Sequence, residues 1–151
     1  MSSSSPRSDP AGAASLVRGG DPATVRILVV DDGAESARFI EQTLRTAFAC
    51  EVDVATDGVA ALEQLVRVPY ALVVSGMRMA RMSGPELYFW VREARPALAG
   101  HFIFVAERWE GRNLGSRLAQ WVVPILEKPC TASELMAVAS PHLLPEIAVA
   151  V

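Results

Sequence analysis

Short apolar segments rich in β-branched residues recur along this chain, and helical patterns separate them. The first, VRILVV at residues 25–30, is the kind of continuous apolar run found in strands that are covered on both faces. Similar runs predict further strands at residues 51–56, 70–75, 101–106 and 122–126. Between the runs, apolar residues repeat at helical spacing, as at Ala37, Ile40 and Leu44. This alternation predicts a three-layer α/β sandwich around a five-stranded parallel sheet.

Proline and capping patterns predict where several of the helices begin and end. Pro69 ends the second helix, and Pro85 is typical of the first turn of the third. Thr131–Glu134 has the Ser/Thr-x-x-Glu pattern of a capping box that opens the last helix. Pro141 is expected to end that helix after little more than two turns.

Composition changes along the chain divide it into one domain and two short flanking segments. Residues 1–23 are rich in Ser, Ala, Gly and Pro, so they cannot bury enough surface to offset their ordering entropy. We expect them to form a disordered tail before a single domain at residues 24–145. The apolar ending EIAVAV, residues 146–151, is expected to form a short tail that covers the last helix or pairs with another chain, so a homodimer is possible.

Four predicted strands place candidate functional residues at one edge of the sheet. The carboxyl ends of parallel strands form the binding crevice of such a fold. Asp31 and Asp32 follow the first strand, Gly76 ends the third, Ala106 ends the fourth, and Lys128 follows the fifth. Gly76 lies 45 residues after Asp31, 30 before Ala106 and 52 before Lys128.

These intervals, together with the motifs VVDD, MRMARMSG and LEKP, resemble the receiver domain of bacterial response regulators. The resemblance covers residues 25–140. It implies a flavodoxin-like strand order of 2-1-3-4-5, which periodicity alone does not fix. It also implies a role in two-component, or phosphorelay, signal transduction, as a signalling domain and not as an enzyme.

The resemblance assigns roles to individual residues at the carboxyl edge. In receivers the acidic pair binds Mg²⁺, and Asp31 and Asp32 match it. A lysine that pairs with the phosphoryl group is matched by Lys128, and the proline that usually follows it through a cis peptide is Pro129. The aspartate that accepts the phosphoryl group is replaced by Gly76, which has no side chain to phosphorylate.

Three more positions depart from the receiver pattern. Ala106 stands where the resemblance expects a hydroxyl residue, Ile125 where it expects an aromatic switch, and Ala80 where it expects a proline. The sequence therefore predicts a degenerate pseudo-receiver. With one carboxylate fewer, the pocket carries a charge of about −1, so we expect weak or absent Mg²⁺ binding, no other cofactor, and an ion pair between Lys128 and the acidic pair.

Two residues are candidates to replace the function of the missing aspartate. Ser75 precedes the acceptor position, but alternation along a strand predicts that it faces away from the pocket. Glu107 is a candidate phosphate mimic: its carboxylate would reach Lys128 and fix the domain in one state. The alternative for Glu107 is a solvent-facing side chain. A separate alternative for the pocket is that the retained Asp and Lys residues only neutralise one another, with no ligand.

These observations predict a stand-alone receiver-like domain that acts by phosphorylation-independent protein–protein interaction. Its expected partners are signalling proteins such as a histidine kinase or a downstream regulator. The receiver resemblance points to the face formed by a short fourth helix, the fifth strand and the last helix as the interaction surface. By sequence position Trp109 and Trp121 lie near it, and they are interface candidates unless one of them is core. The alternatives are a receiver with a non-standard acceptor and a small-ligand sensor that uses the vacated pocket.

Composition and charge argue against several other classes of protein. The net charge is −3 without a clustered basic face, so we expect no nucleic-acid partner. No apolar run approaches the ~18 residues that span a bilayer, and the N-terminus does not resemble a signal peptide, so we expect a cytoplasmic location. Two cysteines (Cys50, Cys130) and two histidines (His101, His142) are each isolated in the sequence, which favours structural or surface roles over metal binding.

Overall fold

The computed structural model describes residues 25–107 and 123–150, with the backbone alone at residues 144–150. The strands are β1 Val25–Val30, β2 Cys50–Ala55, β3 Leu72–Gly76, β4 Phe102–Glu107 and β5 Ile125–Lys128. The helices are α1 Ala34–Ala47, α2 Gly58–Arg67, α3 Gly84–Ala94, α4 Pro96–Ala99 and α5 Ala132–Ala150. The predicted N-terminal tail, the predicted fourth helix, Trp109 and Trp121 lie outside the described residues.

The five strands form one parallel sheet in the order β2-β1-β3-β4-β5. This confirms the three-layer sandwich and the flavodoxin-like order. Because side chains alternate along a strand, the sheet has two apolar faces. In β1, Leu28 and Val30 pack on the face covered by α2 and α3, whereas Ile27 and Val29 pack on the face covered by α1 and α5.

The last helix continues through Pro141 to Ala150, so the predicted stop at this proline was wrong. It therefore includes residues 146–150, which the sequence pattern assigns to a short tail. A proline inside a helix costs about 3 kcal/mol. Leu135, Ala139 and Leu143 are fully buried at helical spacing on both sides of Pro141. Since each buried leucine contributes about 1.5–3 kcal/mol, packing against the sheet offsets the lost backbone bond.

The bounds of β5 also differ from the predicted range of 122–126, because apolar character marks burial rather than strand pairing. Strand β5 begins at Ile125 and continues through Glu127 and Lys128, which pair with the end of β4. Polar residues are acceptable there because β5 is the edge of the sheet. The short helix α4 begins at Pro96, two residues after the end of α3.

Candidate functional site

A cavity of about 240 Å³ opens at the carboxyl edge of the sheet. Strands β1, β3, β4 and β5 all contribute to it, and its walls carry three carboxylates and two cationic groups. The lining residues are Asp31, Asp32, Gly76, Met77, Arg78, Val105, Glu107 and Lys128. The structure therefore brings together the acidic pair, Gly76 and Lys128, which the sequence placed at this edge.

Asp31 is the most constrained acidic group of the cavity. It is only 4% exposed, and both of its carboxylate oxygens have hydrogen-bond donors. Its Oδ1 accepts from the backbone N–H of Gly33 at 2.9 Å. Its Oδ2 accepts from the Ser36 hydroxyl at 2.6 Å and from Lys128 Nζ at 3.3 Å. The neighbouring Asp32 is exposed to solvent.

Lys128 lies between two carboxylates of its own chain. Its Nζ is 3.3 Å from Asp31 Oδ2, which is the ion pair expected from the sequence. It is 3.8 Å from Glu107 Oε2, within ion-pair range but longer than a hydrogen bond. The Glu107 side chain is half exposed, so solvent weakens this second interaction. The peptide bond between Lys128 and Pro129 is cis, as the receiver resemblance implies.

Gly76 is buried at the end of β3, and its backbone does not require a glycine. Its φ is not in the left-handed region. A Cβ atom added there would lie 3.6 Å from the Val30 carbonyl oxygen and 3.9 Å from both Asp31 Cγ and Met79 Cγ. These are ordinary van der Waals distances, so a Cβ at this position fits without moving its neighbours.

The structure corrects the assignment of Ala106 to the cavity. Val105 is the residue paired with Gly76, and Val105 lines the cavity. Ala106 faces the opposite side of the sheet and belongs to the core layer under α2 and α3. The spacing along the chain located the hydroxyl position of the receiver pattern to within one residue. Strand alternation decides which of the two side chains faces the cavity. Valine also has no hydroxyl group.

Ser75 and Ile125 are positioned by the core. Ser75 is fully buried, does not line the cavity, and donates its hydroxyl to the Gly76 carbonyl at 2.9 Å. Ile125 is partly buried against the core layer that contains Ala106. The buried position of Ser75 agrees with the orientation that strand alternation predicts. Ile125 is an aliphatic residue at the position where receivers have the aromatic switch.

The loop between β3 and α3 is fixed by contacts that the sequence analysis missed. Gly84 N–H donates to the Met77 carbonyl at 2.8 Å, and an added Cβ at Gly84 would overlap the Gly76 carbonyl oxygen. Ser83 and Glu86 form a capping box at the start of α3, which the Ser-Gly-Pro-Glu sequence could have indicated. The Ala80 position lies in this same loop, whose Met82 N–H donates to the Ala80 carbonyl.

An arginine in the same loop holds it against α2. Arg81 has a positive φ of 69°, and its guanidinium donates to both oxygens of Asp57 at 2.8 Å and 3.0 Å. Asp57 also caps α2 by accepting from the Ala60 N–H. These hydrogen bonds lower the pKa of the Asp57 carboxyl, with the backbone bond from Ala60 as the main cause. No sequence motif indicated this pair.

The acidic pair of the cavity is partly engaged by hydrogen-bond donors and by Lys128. Mg²⁺ prefers six oxygen ligands in octahedral geometry. Among the described residues, no group of three or more His, Cys, Asp and Glu side chains is placed to hold a metal. Both oxygens of Asp31 already accept hydrogen bonds, and the Lys128 ammonium lies where a cation would have to compete with it.

The two histidines are not isolated, as the sequence suggested, but contact each other. His101 and His142 are 41 residues apart, and their Nδ1 atoms lie 3.0 Å apart across perpendicular rings. Burial, with a smaller contribution from His101, lowers the pKa of His142. Cys50 and Cys130 form no disulfide with each other, and burial raises the pKa of both thiols.

The fold and the cavity match one family. The family model of the response regulator receiver domain matches residues 27–140. This chain belongs to the response regulator receiver domain family. Receiver domains act in two-component signalling, where they interact with histidine kinases or downstream regulators.

Individual relatives support the same assignment. The receiver domain is 31% identical over 112 residues to the sensor histidine kinase TmoS of Ectopseudomonas mendocina, covering 74% of this chain but 11% of that protein. A response regulator receiver domain protein from Clostridium thermocellum has a TM-score of 0.70 at 20% identity, covering 83% of this chain and 98% of that one. A sensor protein from Polaromonas sp. JS666 has a TM-score of 0.69 at 23% identity, covering 81% and 98%. At these identities the solved structures show the shared fold.

None of the helices in the described part of this receiver domain is long and apolar enough to cross a membrane.

Proposed function

We propose that this receiver domain acts in two-component signalling through protein–protein contacts that do not depend on phosphorylation of its own chain. The observation that carries the proposal is Gly76. It ends β3 inside the acidic cavity, at the position where the receiver pattern has its phosphoacceptor aspartate. An acyl phosphate needs a carboxylate, and this position supplies none.

The electrostatics of the cavity support the same proposal. Lys128, which would pair with a phosphoryl group, is already neutralised by Asp31 and approached by Glu107. Because Gly76 supplies no carboxylate beside Asp31 and Asp32, a Coulomb term of roughly 4 kcal/mol for a close charge pair is absent from cation binding. Weak or absent Mg²⁺ binding is therefore part of the proposal.

Features of the same region argue against the two alternative functions. A non-standard acceptor at Ser75 would have to leave a fully buried position and give up its hydrogen bond to the Gly76 carbonyl. A small-ligand sensor at Gly76 would use a cavity of about 240 Å³. Ligand sites are usually about 300–1,000 Å³ and mostly apolar, whereas this one is highly charged.

The proposed partners are a histidine kinase or a downstream regulator of a two-component system. The relative from Ectopseudomonas mendocina is itself named a sensor histidine kinase. This chain corresponds to 11% of that protein, so we propose only that it works within the same class of signalling assembly.

Intact mass measurement after incubation with acetyl phosphate and Mg²⁺ tests the proposal. We expect no phosphate adduct on the native chain. The Gly76→Asp variant is the matched control, because a Cβ at this position meets only ordinary contacts, and it is expected to gain an adduct. An adduct on the native chain that disappears in Asp31→Ala or Asp32→Ala variants would overturn the proposal.

Glu107 extends the proposal to a fixed conformational state. Its carboxylate stands 3.8 Å from Lys128 Nζ and supplies a negative charge on the side where a phosphoryl group would contact that lysine. We expect Glu107→Gln, which keeps the size but removes the charge, to increase hydrogen exchange at the β5 amides. Unchanged exchange in this variant would show that Glu107 does not hold Lys128.

A further inference from the structure

A larger groove lies at the opposite, amino-terminal edge of the sheet. Its volume is about 730 Å³, which is within the usual range of about 300–1,000 Å³ for small-molecule sites. It opens where α2 ends, where β3 begins and where α3 passes into α4. Its walls are mainly apolar and include Leu65, Val68, Pro69, Ala71 and Leu98.

Polar groups are confined to a few positions in this groove. Arg95 and His101 come from one short stretch of backbone, and His142 comes from α5. Leu98 N–H donates to the Arg95 carbonyl at 2.9 Å, and His101 N–H donates to the Leu98 carbonyl at 2.8 Å. The backbone that carries the arginine and the first histidine is therefore fixed before any ligand arrives.

At least one ring of the histidine pair carries an N–H group that is not used in the hydrogen bond between the two rings. Its Nδ1 atoms are 3.0 Å apart, so one ring donates and the other accepts. The accepting ring has no proton on Nδ1 and therefore carries one on Nε2. The pair thus keeps one Nε2–H donor when it is neutral and gains a second when the donating ring is protonated.

The lining of the groove has cationic and donor groups but no described acidic side chain. The other polar side chain, Tyr70, donates its hydroxyl to Asp53 at 2.7 Å, and Asp53 is also paired with Arg26 at 3.0 Å. That carboxylate is thus already neutralised. The groove combines an apolar body with Arg95 and the histidine pair, which are complementary to an anion.

We propose that this groove binds a small carboxylate with an apolar body, such as a medium-chain acyl or arylalkyl carboxylate. The apolar part packs against the walls formed by α2, β3 and α4. The carboxylate accepts hydrogen bonds from Arg95 and from the histidine pair. The site is separate from the cavity at Gly76 and does not rest on the function proposed for that cavity.

Isothermal titration calorimetry with sodium octanoate, below its micelle concentration, tests the proposal. Octanoate is expected to bind saturably at one site. Octanamide has the same chain and no charge, and it is expected to bind about tenfold more weakly, since one charge-assisted hydrogen bond is worth about 1.5 kcal/mol. The absence of saturable octanoate binding, or equal affinity for octanamide, would overturn the proposal.

Two arginines of α3 and its C-terminal end provide matched variants. Arg95 lies over the Trp90 ring at 5.8 Å and lines the groove, whereas Arg92 lies over the Phe89 ring at 5.9 Å and does not. Arg95→Met should weaken octanoate binding by about tenfold, and Arg92→Met should leave it unchanged. Equal effects of the two variants would indicate general charge attraction and contradict the assignment of the site.

The proposal also makes the histidine pair part of the site. His142→Asn is expected to weaken octanoate binding while the binding of octanamide changes less. If His142→Asn weakens both compounds equally, the histidine shapes the walls and does not contact the carboxylate. The Gly76→Asp variant should bind octanoate like the native chain, which separates this test from that of the proposed function.

Discussion

At the scale of single residues, two glycines of the β3–α3 region differ in what their neighbours allow. A Cβ fits at Gly76, where the nearest atom to it is 3.6 Å away. At Gly84 an added Cβ would overlap the carbonyl oxygen of Gly76, and that oxygen belongs to rigid backbone. Gly84 is therefore required by packing, whereas Gly76 is not.

We predict opposite effects on stability for alanine at these two positions. Gly84→Ala should lower the free energy of unfolding by about 1–3 kcal/mol or more, because backbone must move to make room. Gly76→Ala should raise it by about 0.5–1 kcal/mol, since glycine weakens a strand. Urea denaturation of both variants measures the difference. A loss of stability in Gly76→Ala as large as in Gly84→Ala would contradict this account.

The residues of the candidate site could be predicted from sequence only in part. Asp31, Gly76 and Lys128 were located because each stands at the end of a strand. The hydroxyl position was placed on Ala106 in place of Val105, because counting along the chain does not determine which face of β4 a residue occupies. The pair formed by Arg81 and Asp57 could not be predicted, since it depends on a loop conformation with a positive φ.

At the scale of elements, α5 shows that packing against the sheet stabilises a helix that contains a proline. Pro141 predicted an early end, yet the buried positions Leu135, Ala139 and Leu143 continue past it. Periodicity in the sequence was present on both sides of the proline. The buried contacts of the amphipathic face stabilise the helix more than the proline destabilises it.

The helix makes a direct prediction. Leu143→Ala should lower the free energy of unfolding by about 2–5 kcal/mol, because Leu143 is fully buried and its removal leaves a cavity. Met136→Ala on the same helix is the control, since Met136 is 37% exposed, and its effect should be within about 0.5–1 kcal/mol. Equal effects would mean that the helix beyond Pro141 does not pack as described.

At the scale of the whole molecule, the strand order came from the receiver motifs and not from hydrophobic periodicity. Periodicity predicts five parallel strands but is equally compatible with other doubly wound sheets. The contact between His101, just before β4, and His142 on α5 was also beyond prediction, because it joins residues 41 positions apart through the tertiary fold. No local sequence pattern predicts a contact between residues so far apart in the chain.

This contact predicts a pH dependence of global stability. Burial and His101 lower the pKa of His142, so the folded state resists its protonation. The contribution of neutral His142 to the free energy of unfolding is fully present above the ordinary histidine pKa of about 6.5. This contribution is lost as the pH falls from there through the lowered pKa of the folded state. The pKa of the nearby Tyr70 is raised by burial and by Asp53, so this hydroxyl does not titrate in this range.

Urea denaturation between pH 7 and about pH 5 measures this loss. His142→Asn should make the unfolding free energy less dependent on pH across the same interval. A pH dependence that is identical in the native chain and in this variant would show that other groups, such as surface carboxylates, cause it.

The open space beside Gly76 has an evolutionary consequence. The glycine codons GGT and GGC each differ by one base from an aspartate codon, and a Cβ at this position meets only ordinary van der Waals contacts. From either codon, one base change returns a carboxylate to the position beside Asp31.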